Sequence, residues 1–295
     1  MNTQSDLIYY YDGSFDGLLS CVFESYEKQE IPIDIIVPTS EPQLFAGRTI
    51  ATDLPKAGRV FNSIPQKIGT SALAFVRHAF LTCLKRKELY ILLFLRLGYR
   101  HGPRVMNMLT DEVVNTLFKA VNHLNRESHL LKGFLRFSVF NNVLVGEIEP
   151  KNIVLPLLTQ HFCERYPEER FLILDKTHGM GLLYKPYQAK VVPIASLELP
   201  EADEEEQAFR ELWQLFYDTI AIKERYNPTC RMSHMPKRYW NNMTEFGQTQ
   251  NNASSKLTGS FAPAGNHDLG NRFRPQPRAV QPAAEGRILA AEAKN

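Results

Sequence analysis

The stretch Gly133-Phe-Leu-Arg-Phe-Ser-Val-Phe-Asn-Asn-Val-Leu-Val-Gly-Glu-Ile148 decides how the chain is read. Before it, hydrophobic residues recur every three or four positions; within it they recur every second. Leu135, Phe137 and Val139 alternate with Arg136 and Ser138, the period of a half-buried strand. Asn141-Asn142 supplies a turn, because Asn tolerates positive φ, and Val143 to Ile148 returns as the second arm of a hairpin. Gly133 is a natural stop for the preceding helix. Arg136 can bind a phosphate or pair with Glu147 across the hairpin, and ion pairing is the simpler role.

Upstream of this switch, residues 69–131 read as helical. Leu73, Val76, Phe80 and Leu84 keep a three-to-four spacing, as do Val113, Leu117, Val121 and Leu124. Gly102-Pro103 separates two of these helices, and Thr110 is a candidate cap for the later one. Nearer the start, Ile8 to Tyr11 reads as a strand, Phe15 to Glu27 as a helix and Ile33 to Val37 as a second strand. That order is an α/β-type opening. A short helix over Asp53 to Asn62 follows, with Thr52 as its candidate cap.

Downstream, the pattern predicts a helix from Val154 to Tyr166 and a strand pair, Phe171–Leu174 and Gly181–Tyr184, around His178. A further strand is expected near Lys190 to Ile194, then a helix over 202–226 that buries Phe209, Leu212, Trp213, Phe216 and Ile220. The fold class is therefore α+β. A strand–helix–strand opening and a helical region precede an antiparallel sheet with helices on one face. Residues 1–247 form the body, with the change of period near 131 as a candidate seam. Residues 248–295 are rich in Asn, Ser, Gly, Pro, Gln and Ala, and are expected to be a disordered tail.

Composition narrows the function classes. No basic n-region with an apolar core opens the chain, and no apolar run is long enough to span a membrane, so a cytoplasmic protein is expected. Cys21, Cys83, Cys163 and Cys230 are widely spaced, which excludes a disulfide framework or zinc knuckle and predicts buried free thiols. No cofactor or metal is implied. The net charge of +2 hides an uneven distribution: the tail carries six Lys/Arg against three Asp/Glu, leaving the body at −1. Only local clusters can support nucleic-acid binding.

Two clusters stand out. Residues 77–104 hold Arg77, Lys85, Arg86, Lys87, Arg96, Arg100 and Arg104 against Glu88 alone. If their helices pair, several cations share one face. The second is Asn227-Pro-Thr-Cys-Arg-Met-Ser-His-Met-Pro-Lys-Arg-Tyr-Trp240, which sets Arg231, Lys237 and Arg238 beside Tyr239 and Trp240. Cations next to flat rings suit a ligand bearing phosphates and bases. The plainer reading is an arm whose rings pack on the core.

Other motifs carry less. Asp12-Gly-Ser-Phe-Asp-Gly17 begins like a calcium loop, but its twelfth position is Phe23 rather than a bidentate Glu. Gly13 as a turn, with Ser14 or Asp16 as helix cap, accounts for it. Asp175-Lys-Thr-His178 is an Asp/His pair that can activate water, or a polar hairpin loop. Glu127 and His129 sit two apart on a helix and do not face each other. The acidic run Glu198 to Glu211 reads as a solvated helix start.

Taken in order, Tyr11-Asp-Gly-Ser-Phe-Asp-Gly17, Gly133-Phe-Leu-Arg-Phe137, Asp218-Thr-Ile-Ala-Ile-Lys-Glu-Arg225, Asn227-Pro228 and Met235-Pro-Lys-Arg-Tyr-Trp240 resemble a bacterial family described as DNA metabolism proteins. A similar domain is fused to members of the uracil-DNA glycosylase superfamily, and family members are encoded beside a radical-SAM protein of DNA modification or repair. The resemblance covers roughly residues 7 to 247 and implies a companion protein in DNA repair or modification, without an assigned reaction. The partners it implies are DNA, that radical-SAM protein and a uracil-DNA glycosylase superfamily protein.

Three functions compete. In the first, a non-catalytic module binds nucleic acid through Arg136, Arg225, Arg231, Lys237 and Arg238, with Tyr239 or Trp240 stacking on a base. In the second, an enzyme acts on DNA with Asp12, Asp16, Asp175 or His178 as acid–base groups. In the third, a protein–protein scaffold uses Tyr239 and Trp240 as interface anchors.

Overall fold

A computed structural model describes residues 3–4, 6–38, 45–194 and 204–246. The predicted tail and the first part of the acidic run lie outside the described residues.

The chain opens with β1 (Thr3–Gln4) and β2 (Leu7–Tyr10), followed by α1 (Phe15–Glu27). Then come β3 (Glu30–Ile31), β4 (Asp34–Ile36) and β5 (Ala46–Thr49). β2 pairs in parallel with β4 on one side and β5 on the other, and β1 pairs with β3. The expected strand–helix–strand opening is thus a small parallel sheet. α1 has the predicted bounds because Ser14 caps it: the Ser14 hydroxyl accepts from the Gly17 amide at 2.9 Å.

Four helices and a 3₁₀ turn build the next layer: α2 (Leu54–Lys67), α3 (Thr70–Phe80), α4 (Lys87–His101), the turn Gly102–Asn107, and α5 (Glu112–Phe134). Two caps differ from expectation by one residue. Asp53, not Thr52, caps α2 by accepting from the Lys56 amide, and Asp111, not Thr110, caps α5 by accepting from Val113 and Val114. A carboxylate outcompetes a neighbouring hydroxyl for orphan amides because it also suits the helix dipole. α5 runs through Gly133 and ends at Phe134, so the glycine is not the stop.

The second half begins with β6 (Phe137–Phe140) and β7 (Val143–Ile148), an antiparallel hairpin turned by Asn141 and Asn142 at φ 48° and 60°. Two consecutive positive φ values are what a two-residue hairpin turn needs. α6 (Leu155–Arg165) then crosses over to β8 (Phe171–Asp175), which pairs with β7 in parallel. β9 (Met180–Lys185) and β10 (Gln188–Pro193) complete a five-stranded sheet of order β10-β9-β8-β7-β6. The sheet is therefore mixed rather than wholly antiparallel, because the β7–α6–β8 segment is a crossover unit. β8 is buried along its whole length, as a central strand should be.

Two hydrophobic clusters hold the body together. The first surrounds the parallel sheet with Tyr9, Leu18, Val22, Ile64, Phe94 and Leu117. The second lies against the larger sheet with Leu131, Ile148, Phe162, Phe171, Leu182 and Tyr239. α5 serves both: Val114, Leu117 and Val121 enter the first cluster, Leu124 and Leu131 the second. Its 23 residues span about 35 Å. All four cysteines are free; only Cys21 is buried, whereas Cys83 and Cys230 are exposed, against the expectation of buried thiols.

α7 (Glu204–Ile220) overturns the predicted buried stripe. It docks by its polar edge. Glu206 accepts from the Val139 amide, Arg210 donates to Ser138 at 2.6 Å, and Gln214 donates to the Thr244 carbonyl. Tyr217 meets Phe246 edge-on. Phe209, Leu212, Phe216 and Ile220 face outward, each about half exposed or more, and Trp213 is 41% exposed. A 3₁₀ turn, Lys223–Arg225, leads to α8 (Pro228–His234) and a last 3₁₀ turn, Lys237–Asn242.

Candidate nucleic-acid interface

The C-terminal arm is built by local chemistry. Asn227 caps α8 by accepting from the Cys230 amide at 2.9 Å, and Pro228 occupies the first turn, where no amide is needed. Met235-Pro236 breaks the helix, and the Trp240 indole donates back to the Met235 carbonyl at 2.9 Å. This folds the arm over the second core and splits the two rings. Tyr239 points inward, 4% exposed, against Phe134. Trp240 is half-buried and stacks on Phe246 with ring centres 4.5 Å apart. Tyr239 therefore cannot stack on a base or anchor a partner, and one face of Trp240 is already covered.

Cations cluster around that stack. The Arg231 guanidinium lies 5.1 Å from the Trp240 ring centre, 5.5 Å from Phe246 and 5.4 Å from Tyr226. Lys237 Nζ lies 5.9 Å from Trp240. Arg225 and Lys237 are exposed, and Arg231 is half-buried. None of the three joins an ion pair among the described residues.

The other two predicted contacts are committed elsewhere. Arg238 reaches Glu127, 2.9 Å away on α5, and also donates to the Tyr239 hydroxyl. Glu127 is buried and accepts from the amides of Lys151 and Asn152 at 3.0 and 2.9 Å, and from the Asn152 side chain at 2.6 Å. Burial alone would raise its carboxyl; those hydrogen bonds and the Arg238 charge outweigh burial and hold it below the ordinary glutamate value. Burial, then the charge of Glu127, pushes the Tyr239 hydroxyl up to about 12. Arg136 pairs with the buried carboxylate of Glu245 at 2.5 Å, not with Glu147, which binds Lys176 at 2.7 Å.

The basic stretch 77–104 does not form one face. Arg86 pairs with Asp34, Lys87 donates to the Thr82 carbonyl, and Arg96 reaches inward to Ser25 and the Glu30 carbonyl. These side chains tie α4 to its neighbours. Arg77 and His78 sit on α3, apart from them.

The carboxylate candidates shape turns. Asp12 accepts from the Ser14 hydroxyl and amide and from the Thr52 hydroxyl, and these bonds hold its carboxyl below the ordinary value. Gly13, at φ 81°, makes the turn, and a Cβ on Gly17 would lie 2.2 Å from Asp12 Oδ1. Asp16 sits in the first turn of α1, and its carbonyl accepts from Ser20. Asp175 and His178 do meet, Oδ2 to Nδ1 at 2.7 Å. The same carboxylate, wholly buried, accepts from the amides of Thr177 and His178 and so closes the β8–β9 turn.

Sequence reasoning missed Glu127 as a hub. Its signal was present: three residues after Leu124 and four before Leu131, it falls on the apolar stripe of α5. A carboxylate there needs partners. Among the described residues no group of three or more His, Cys, Asp or Glu side chains is placed to hold a metal, and no helix is long and apolar enough to cross a membrane.

Comparison with known proteins places this geometry in a family. No curated protein matches the sequence. Among solved structures, a pGpG-specific phosphodiesterase, PggH from Vibrio cholerae, is similar over 60% of this chain and 81% of its own, at 10% identity and a TM-score of 0.29. A likeness that slight carries no argument. A family model described as a domain of unknown function, DUF4130, matches residues 85–245, from just before α4 through the C-terminal arm. That is more than half of the sequence, and the chain belongs to the DUF4130 family.

Proposed function

We propose that this protein is a nucleic-acid-binding accessory protein of DNA repair or modification that works beside a radical-SAM protein and, in related systems, a uracil-DNA glycosylase superfamily protein. The motif order noted in the sequence supports the setting. One observation carries the contact: Arg231 and Lys237 flank the half-buried Trp240, and neither has a carboxylate partner among the described ion pairs. Cations beside an indole ring grip a phosphate next to an unstacked base, which favours single strands. Arg225 extends the positive charge along the arm, while Arg136 and Arg238 hold the arm in place.

The test uses Trp240 as its own reporter. In a Trp213→Phe background the remaining indole fluorescence comes from Trp240 alone. Titration with a short oligo-dT strand in low salt should change that emission saturably, and Lys237→Ala should weaken the response. Emission that stays flat up to millimolar strand removes the contact.

A second reading, a scaffold holding a protein partner, is favoured by α7. Phe209, Leu212, Trp213, Phe216 and Ile220 form an outward apolar stripe. Contiguous exposed stripes of this kind serve protein contacts. Co-expression with the adjacent radical-SAM protein should yield a complex that Leu212→Glu/Phe216→Glu disrupts; a complex indifferent to those changes excludes α7 as its interface.

A further inference from the structure

α3, α5 and α6 converge on a cleft of about 650 Å³. Arg77 and His78 enter it from α3; Ser128, His129 and Lys132 enter from α5; Gln160 enters from α6. On α5 the lining positions 125, 128, 129 and 132 follow i, i+3, i+4, i+7, and positions 74, 77 and 78 of α3 with its C-cap Leu81 do the same. Each helix thus presents one continuous face to the cleft, distinct from its core stripe.

The lining has a consistent chemistry. None of the lining residues is a carboxylate, although Glu164 lies behind Gln160, and Arg77, His78, His129 and Lys132 join no ion pair among the described residues. Burial first, and the charge of Arg77 second, hold His78 below the ordinary imidazole value. Leu81 and Leu157 supply apolar wall. Ser128 is 2% exposed, and its Oγ meets no hydrogen-bond partner among the described residues. A mid-helix serine that faces inward ordinarily bonds the carbonyl one turn back; this one does not.

We infer that the cleft is a nucleotide-unit site that grips its ligand by the phosphate. Arg77 and Lys132 meet the anion, His78 and His129 add ring donors, and a small χ1 adjustment brings the Ser128 hydroxyl to a phosphate oxygen. Leu81 and Leu157 face the sugar or base, and Gln160, whose amide nitrogen donates to Glu164 at 2.9 Å, keeps its carbonyl oxygen to accept from a base edge. The volume lies within the range of small-molecule and cofactor pockets and exceeds what inorganic phosphate alone fills. The phosphate ester is either a free mononucleotide or the 5′ end of a strand. No residue of the arm lines the cleft.

Titration calorimetry on the full chain in low salt tests it. The probes are 5′-dTMP, thymidine, inorganic phosphate, and one oligonucleotide with and without a 5′-phosphate. The expected result is one 5′-dTMP per chain, no heat with thymidine, weaker binding of inorganic phosphate, and a Kd at least ten-fold weaker in Arg77→Ala/Lys132→Ala. Ser128→Ala should weaken it by a smaller factor, and Arg231→Ala/Lys237→Ala should leave it unchanged, so that a failure of the arm and a failure of the cleft are told apart. A 5′-phosphorylated strand that outcompetes its unphosphorylated twin assigns a strand end as the source; 5′-dTMP binding without that preference assigns a free nucleotide. Unfolding midpoints matched to the unsubstituted chain show that the variants fold. The inference is overturned if neither 5′-dTMP nor the phosphorylated strand binds. It is equally overturned if Arg77→Ala/Lys132→Ala binds both as before, or if inorganic phosphate binds as tightly as 5′-dTMP.

Discussion

Arg238 on the C-terminal arm reaches Glu127 in the middle of α5 at 2.9 Å, and this contact fastens the arm to the body. Glu127 is also the acceptor for the Lys151 and Asn152 amides that precede α6. One buried carboxylate therefore joins three separate parts of the chain. Replacing Arg238 by Ala leaves that charge buried with its amides but no cation. Because the Arg238 side chain is one-third exposed, the cost should fall below the fully buried case, at about 1–3 kcal/mol. Urea unfolding checks it. Combining Arg238→Ala with Glu127→Gln should cost less than the two changes summed, since both remove one interaction.

The same carboxylate sets an acid limit. Its folded-state value lies below the ordinary glutamate value, so its contribution is fully present above the unfolded pKa, about 4.3. The contribution fades as pH falls through the folded value. The urea midpoint of the unsubstituted chain should thus drop faster than that of Glu127→Gln as pH falls from about 5 to about 3, through and below the ordinary carboxylate value. Parallel curves would show that Glu127 is not the coupled group.

Tyr239 and Trp240 should separate in mutagenesis although they are neighbours. Tyr239→Phe removes a buried hydroxyl from the Glu127 cluster and should cost about 1 kcal/mol while leaving oligonucleotide affinity unchanged. Trp240→Ala should weaken strand binding, with stacking on a base contributing about 1–3 kcal/mol. Stability and affinity measured on the same samples decide the matter.

The Asp12 turn yields a steric prediction. A methyl group on Gly17 would lie 2.2 Å from Asp12 Oδ1, so Gly17→Ala must displace the carboxylate that holds Ser14 and Thr52. The resulting loss, about 1–3 kcal/mol, should appear as a lower Tm, and Asp12→Ala should abolish most of the difference between Gly and Ala at position 17.

Much of this fold is readable from local signals. α1 keeps its predicted bounds because Ser14 caps it, and the β6–β7 hairpin is specified by Asn141-Asn142. What local signals do not encode is direction and side. Nothing in the alternation of Val143 to Ile148 tells that Phe171 to Asp175 will run parallel to it; the crossover through α6 decides that. The apolar stripe of α7 is where periodicity puts it, but hydrogen bonds from Arg210 and Gln214 turn the other edge toward the body. In the arm, composition brought cations and rings together but could not separate them. Arg238 and Tyr239 go inward because Glu127 waits far away in sequence, while Lys237 and Arg231 stay with Trp240.

The account rests on the arm touching a polynucleotide. Its most direct test is the affinity of the full chain for a labelled single strand, measured across a salt series with and without Arg231→Ala/Lys237→Ala. We predict that log K falls linearly with log salt, and that the double variant loses about 1.4 from the slope, about 0.7 for each phosphate contact removed. No binding in low salt, or a slope that the double variant leaves intact, would contradict it.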